Sequence, residues 1–237
     1  MHPIYRSALV DGRRLKQTFT YAGRTRLGRH RATYPLLGLS RSIRPRLVGP
    51  ATDVCIEGFP RSANSLAVHA FRLANPGATV AHHVHVPMQV LRAAALGIPC
   101  VVLVRDPLDA IASLLIMSED ALPEGVAIRS YQSFYAPLER VRERIAVAPF
   151  AAVVEDPSEV ARLANERFGT TFELLPAAEA KARATESIRE ANRSRPQTWW
   201  TIPTDEKDAL KPRIIERLRA NPRLERARAI HDSLLRS

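Results

Sequence analysis

Between residues 52 and 168 the apolar positions alternate between two patterns: short unbroken runs, and stripes recurring every three to four residues. The runs predict strands buried on both faces, and the stripes predict amphipathic helices. Thr52 to Glu57 is the first run; it ends at Gly58-Phe59-Pro60 and gives way to a helical stripe of Leu66, Ala70 and Leu73. After Asn75-Pro76-Gly77, Ala78 to Val84 predicts a second strand. Pro87 then opens a helix whose Met88, Leu91 and Ala95 share a face and which Gly97 closes. Ile98 to Val104 is an unbroken strand-like run, and Pro107 starts a helix reaching about Met117, with Leu108, Ile111 and Leu115 on its buried side. Ser118 to Gly125 reads as a loop. From Val126 to Ala146, Tyr131, Phe134, Leu138, Val141 and Ile145 predict one long amphipathic helix, kinked at Pro137. Phe150 to Val154 predicts another strand and Pro157 to Phe168 another helix; after Pro176 the chain is polar and helical, with an irregular loop from Asn192 to Pro203.

Strands alternating with helices at this spacing predict an α/β fold in three layers, a central parallel sheet flanked by helices, with a helical C-terminal third. Composition agrees: 46% hydrophobic and 25% charged residues in 237 is ordinary globular usage, which excludes disorder, collagen and a coiled coil. Charge changes the picture. Of the net +11, residues 1–50 hold ten arginines and Lys16 against the single acid Asp11, so this segment carries +10 and residues 51–237 only +1. The chain therefore divides into a basic N-terminal segment, 1–50, and an α/β domain, 51–237. An Arg-rich start with Arg13-Arg14 invites a targeting reading, but Gly23 to Arg31 is polar throughout and supplies no apolar stretch. Leu108 to Met117 is too short for a span of about 20 residues and contains Asp109. Cys55 and Cys100 each lie within an apolar run and form no disulfide framework, which fits a reducing compartment. A cytoplasmic protein is expected, with the basic segment available for peripheral contact with an anionic membrane surface.

In a doubly wound sheet ligands bind at the carboxyl ends of strands, where a helix N-terminus offers free N–H groups and a positive dipole. Gly58 to Ser65 occupies that place. Its spacing matches the phosphate-binding loop Gly-x4-Gly-Lys-Ser/Thr, yet Ala63 replaces the second glycine and Asn64 the lysine. What remains is one guanidinium, Arg61, the hydrogen-bonding side chains of Ser62, Asn64 and Ser65, and the amides of the helix start, a set suited to a group less charged than a triphosphate. A plain alternative is that Ser62 or Asn64 only caps a helix and Pro60-Arg61 only shapes a turn. Downstream, Arg105 at a strand end supplies a planar fork for phosphate oxygens, and Ser113 lies about two helical turns along on the same side. Arg105 could instead pair with Asp106 or Asp109.

These residues resemble a family. Gly58-Phe59-Pro60-Arg61-Ser62-Ala63-Asn64-Ser65-Leu66 is similar to the 5′-phosphosulfate loop of the sulfotransferases that use 3′-phosphoadenosine-5′-phosphosulfate (PAPS). Val101 to Ser113, with Arg105-Asp106-Pro107-Leu108-Asp109, resembles the family's second block, in which the Arg and the Ser eight residues on hold the 3′-phosphate. More weakly, Phe150 to Pro157, Arg167-Phe168-Gly169 and Arg193-Ser194-Arg195-Pro196-Gln197-Thr198-Trp199 look like later blocks; the usual Arg-Lys-Gly and Gly-Asp-Trp are missing, so Arg193 and Arg195 both stand as candidates for the 3′-phosphate. The likeness covers about residues 51–206 and implies a P-loop-like sulfotransferase with PAPS as donor and no metal. Pro60, Arg61, Ser62, Ala63, Asn64, Ser65 and Leu66 would hold the 5′ side, and Arg105 and Ser113 the 3′-phosphate.

Sulfuryl transfer to a hydroxyl needs a base, and neutral His suits pH 7. Three histidines stand at His82, His83 and His85; on a strand His83 and His85 would point one way and His82 the other. His85-Val86-Pro87 resembles the family's His-Leu-Pro, which makes His85 the expected base, His83 the second choice and Arg61 the catalytic cation. No third ligand accompanies the His-x-His pair at metal spacing, and His69 reads as a packed helix residue. The rivals are a P-loop kinase or other nucleotide-binding protein, and a non-catalytic nucleic-acid binder using the basic segment, which lacks a recognisable module and makes nucleic acid a weaker partner. The acceptor is expected to be a hydroxyl on a glycan, glycolipid or small metabolite. Its pocket would come from Ser118 to Ser133 and Pro176 to Trp200, where Tyr131, Phe134, Tyr135, Trp199 and Trp200 offer faces for stacking or for core packing.

Overall fold

The computed structural model describes residue 23 and residues 25–118, 122–194 and 205–236. Four strands, β1 (Val54–Gly58), β2 (Val80–His82), β3 (Cys100–Val104) and β4 (Ala146–Pro149), form one parallel sheet in the order β2-β1-β3-β4. β1 pairs with β3 from Cys55↔Cys100 to Gly58↔Leu103 and with β2 from Val54↔Val80. The α-helices are α1 (Asn64–Ala74), α2 (Pro87–Leu96), α3 (Pro107–Met117), α4 (Glu124–Tyr135), α5 (Phe150–Glu155), α6 (Glu159–Phe168), α7 (Ala177–Asn192), α8 (Asp205–Arg219) and α9 (Arg223–Leu235).

Alternation along each strand builds the layers, because successive side chains point to opposite faces. Val54, Ile56, Val101, Leu103, Ala146 and Ala148 pack on one face against Ala67, Val68 and Phe71 of α1 and Val160, Ala161 and Ala164 of α6. Cys55, Cys100, Val102 and Val104 pack on the other against Val90 and Ala93 of α2, Ile111 and Leu115 of α3, Tyr131 and Tyr135 of α4 and Leu234 of α9. The result is an α/β sheet with helices on both faces and a helical C-terminal third, as the patterning indicates. Pro87 and Pro107 sit in the first turns of α2 and α3, where a missing N–H costs nothing. Gly97 closes α2 with φ 68°, a conformation that favours glycine. Among the described residues no helix is long and apolar enough to cross a membrane.

Two elements differ from the expectation. The stripe from Val126 to Ala146 is not one helix: α4 ends at Tyr135, a 3-10 helix covers Ala136–Arg144 with Val141 at non-helical angles, and Ala146 belongs to β4. Pro137 removes a backbone donor at the break. The fourth strand is then Ala146–Pro149, and Phe150 to Val154 is helical, within α5. Pro149 precedes α5 with extended backbone, and the alanines after Phe150 favour the helix.

The described part of the basic segment folds onto the domain. It forms 3-10 helices at Tyr34–Leu39 and Arg44–Arg46, and Tyr34 and Leu37 are buried against Val84 and Val86. Gly28 lies so close that a Cβ there would fall 2.3 Å from the Val86 side chain. Gln89 of α2 is fully buried and joins the pieces: its Oε1 accepts from the Tyr34 hydroxyl and from the Val48 N–H (3.2 Å), and its Nε2 donates to the Arg46 carbonyl (2.6 Å). Gln89→Leu would strand the buried Tyr34 hydroxyl and Val48 N–H, each at about 1–3 kcal/mol, and the half-buried Arg46 carbonyl. It is expected to lower the urea midpoint by the equivalent of at least about 2 kcal/mol; an unchanged midpoint would show that the segment is not docked through Gln89.

Candidate functional site

The strand order reverses between β1 and β3: the chain leaves β1 for β2 on one side and β3 for β4 on the other. The carboxyl ends of these two strands therefore flank a topological switch point, where a crevice opens in such sheets. Residues 59–63 leave β1 there and lead into α1; Arg105-Asp106 leaves β3 and leads into α3. Gly58 is required by contact, since a Cβ would meet the Leu103 carbonyl oxygen at 2.6 Å. Tyr135 ties the two ends together: its hydroxyl donates to the Leu103 carbonyl (2.6 Å) and accepts from the Phe59 N–H (3.1 Å).

The β1 loop is strained. Arg61 (φ 71°) and Ala63 (φ 65°) are left-handed without being glycine, at about 1–2 kcal/mol each. Ala63 occupies the N-cap of α1 and gives no side-chain cap to the helix amides. Ser62 and Asn64 turn inward: Ser62 is fully buried with Oγ 3.5 Å from the Tyr135 hydroxyl, and Asn64 Nδ2 donates to the Phe59 carbonyl (2.9 Å). Their side chains fasten the loop rather than face the crevice, as Pro60 does from its buried place. Leu66 packs toward Ala180 and Ala184 of α7.

Arg61, Arg105 and Ser113 come together. Arg61 Nε donates to Ser113 Oγ (3.0 Å), and Arg105 Nη1 donates to the Arg61 carbonyl (2.8 Å). The Arg105 guanidinium stacks 4.1 Å over the Phe150 ring, its own carbonyl accepts from Tyr131 (2.7 Å), and its buried Nε has no hydrogen-bond partner among the described residues. Asp106 accepts from the Asp109 N–H at the start of α3 and Asp109 pairs with Lys211 (2.6 Å), while the charges of both acids still favour the charged form of Arg105. Burial, and then the charge of Arg105, push Arg61 down to about 10; burial also lowers Arg105. At neutral pH both keep their charge, so two guanidiniums stand beside a helix start at the carboxyl ends of β1 and β3, an arrangement that attracts an anion and that Asp106 and Asp109 offset in part.

The histidines lie on the other side of the β1 loop. β2 stops at His82, and His83 (φ 54°) and His85 (φ 55°) are left-handed, so strand alternation does not govern them. His85 Nδ1 lies 2.8 Å from the Gly58 carbonyl oxygen, and His83 Nε2 lies 3.1 Å from Ser65 Oγ, so both candidate bases touch the loop. His83 Nδ1 is 2.6 Å from His82 Nδ1. Among the described residues the four non-glycine residues with positive φ are Arg61, Ala63, His83 and His85, all in these two loops. Such strain concentrates at functional sites. Glu57, which motif spacing does not single out, is fully buried next to the end of β1 and accepts from the N–H groups of Val84 (2.6 Å) and His85 (3.2 Å). Its sequence signal is a carboxylate within the apolar run of β1.

Other expectations fall outside this cluster. Tyr131, Phe134 and Tyr135 are core residues, not stacking faces. Arg193 is exposed just beyond α7, whose antiparallel packing on α1, through His69 Nδ1 with Ser187 Oγ (2.9 Å), carries that end toward the loop side. Arg195, Trp199 and Trp200 lie outside the described residues. The described residues hold no group of three or more His, Cys, Asp or Glu side chains placed to bind a metal ion. No protein-family model, curated protein or solved structure matches the chain.

His82 supplies a pH test. Burial, then the fields of His83, Arg72, Arg46 and His69, lower its pKa far below the ordinary 6.5. The folded state thus resists a proton that the unfolded chain accepts, so stability is complete above about 6.5 and falls as pH drops below it. Urea midpoints measured at pH 7.5 and 5.0 are expected to drop more for the wild type than for His82→Gln; equal drops would remove His82 as the cause.

Proposed function

We propose that the chain is a PAPS-dependent sulfotransferase of P-loop-like fold, transferring a sulfuryl group to the hydroxyl of a glycan, glycolipid or small metabolite. The observation that carries this reading is the junction of Arg61, Arg105 and Ser113 at the switch point, two cations and a hydroxyl brought together at the ends of β1 and β3. A bisphosphorylated nucleotide fits such a charge pattern, and the buried, unpartnered Nε of Arg105 is a donor that a phosphate oxygen would satisfy. Asn64, turned inward where a nucleoside triphosphatase places its lysine, favours this reading over a kinase.

Bound there, the donor would supply the activated sulfuryl group. Arg105 and Ser113 select it through its 3′-phosphate, and Ser65 with the amides starting α1 holds the 5′-phosphate. Arg61 neutralises the charge that grows on the bridging oxygen as the S–O bond breaks, a preorganised electrostatic role. His85 takes the acceptor's hydroxyl proton. Its Nδ1 faces a carbonyl, which can only accept; Nδ1 therefore carries the ring proton and the neutral imidazole keeps its lone pair on Nε2.

Calorimetric titration with 3′-phosphoadenosine-5′-phosphate should show binding that Mg²⁺ does not change and that Arg105→Ala abolishes. Binding only to Mg·ATP would move the reading to a kinase. In a sulfuryl-transfer assay Arg61→Ala and His85→Ala should each lose about a hundredfold or more in turnover with the fold intact; near wild-type rates in either would remove that residue from the chemistry.

A further inference from the structure

We propose that Glu57 is a positioning residue for His85, holding its ring with the lone pair on Nε2 and stabilising the imidazolium that forms there; this rests on the sulfuryl-transfer reading above. Glu57 is the penultimate residue of β1, is fully buried, and divides its carboxylate between two tasks. Oε1 accepts from the Val84 N–H at 2.6 Å, and Oε2 accepts from the His85 N–H at 3.2 Å while lying 3.5 Å from His85 Nδ1. The same Nδ1 is 2.8 Å from the Gly58 carbonyl. One carboxylate thus pins the backbone between the two left-handed residues His83 and His85 and also faces the protonated edge of the His85 ring.

Holding the loop explains an acceptor at this position but not its charge. A neutral acceptor could serve the Val84 and His85 N–H groups, whereas a carboxylate taken wholly out of water is costly unless a cation faces it. The charge does have a use when His85 accepts a proton. As the acceptor oxygen bonds to sulfur and the sulfur–bridging-oxygen bond breaks, the hydroxyl proton passes to Nε2 and the bisphosphate departs with the bond's electron pair. Nδ1 keeps its proton throughout, and the imidazolium's positive charge then sits beside Oε2 of Glu57. A carboxylate behind a histidine base acts in this way in hydrolytic triads.

Titratable groups against His85 among the described residues include Glu57 from β1 and His83 from its own loop, whose ring lies 5.5 Å away. Tyr34, Cys55 and Tyr135 feel the charge of Glu57; it adds to the burial that pushes each of them up. Removing the charge should therefore act on His85 through Glu57 and not through these neutral groups.

The test combines nitrogen-15 NMR of the histidine rings with kinetics on the full chain. In the wild type at neutral pH, His85 is expected as the Nδ1–H tautomer; an Nε2–H ring would overturn the proposal whether or not any variant folds. Glu57→Gln keeps the shape but turns an amide N–H toward donors. It is expected to shift the tautomer balance, to lower the pH at which the ring gains its second proton, and to cut kcat about 10- to 100-fold with the donor's KM unchanged. Glu57→Asp should recover part of kcat. If the NMR results appear without sulfuryl transfer by the wild type, the positioning geometry stands and the reaction is another one. If the wild type transfers sulfuryl groups but Glu57→Gln leaves ring titration and kcat unchanged, Glu57 is structural only.

Discussion

The site depends on how closely two neighbouring strand ends approach each other. Gly58 lies against the Leu103 carbonyl with no space for a Cβ, and Tyr135 fastens both sides of that contact through one hydroxyl. Fixing β1 and β3 at one height brings the Arg61 carbonyl within reach of Arg105, and Arg61 Nε within reach of Ser113. On its other side, the same Gly58 carbonyl receives His85. A shift of β1 against β3 would separate Arg61 from both Arg105 and Ser113, so the register of these two strands and the geometry of that junction are a single constraint.

Much of the fold was legible because its signals are local. Unbroken apolar runs marked β1 and β3, Pro87 and Pro107 marked helix starts, and Gly97 marked an end. β4 was hidden because Val141 and Ile145 continue the helical period of α4, while a proline and tertiary pairing with β3 decide otherwise. Spacing put Arg61, Arg105 and Ser113 near one crevice, and the hydrogen bonds join them. Spacing could not show that Ser62 and Asn64 turn inward, since the left-handed Arg61 and Ala63 redirect the loop. Nor could strand alternation place His83 and His85, whose backbone leaves the strand.

Crowded like charges are a cost to the fold that a ligand can offset. Arg61 is lowered by burial and then by the charge of Arg105, and burial lowers Arg105 against the favourable charges of Asp109 and Asp106. An anion that binds the folded state alone stabilises it by an amount that grows with the logarithm of its concentration over Kd. The folded chain thus stores unfavourable electrostatics in the place where an anionic ligand would relieve them.

Backbone strain follows the same logic and ties the basic segment to the site. Four non-glycine residues are held left-handed in two facing loops, and something must over-determine each of them. For the β1 loop it is Tyr135, Asn64 and Arg105. For the histidine loop it is Glu57 on one side and the packing of Val84 and Val86 under Tyr34 and Leu37 on the other. The described part of the basic segment is therefore a packed wall behind the histidine loop, where Tyr34 and Leu37 cover Val84 and Val86, and its Arg46 also acts on His82 through its charge.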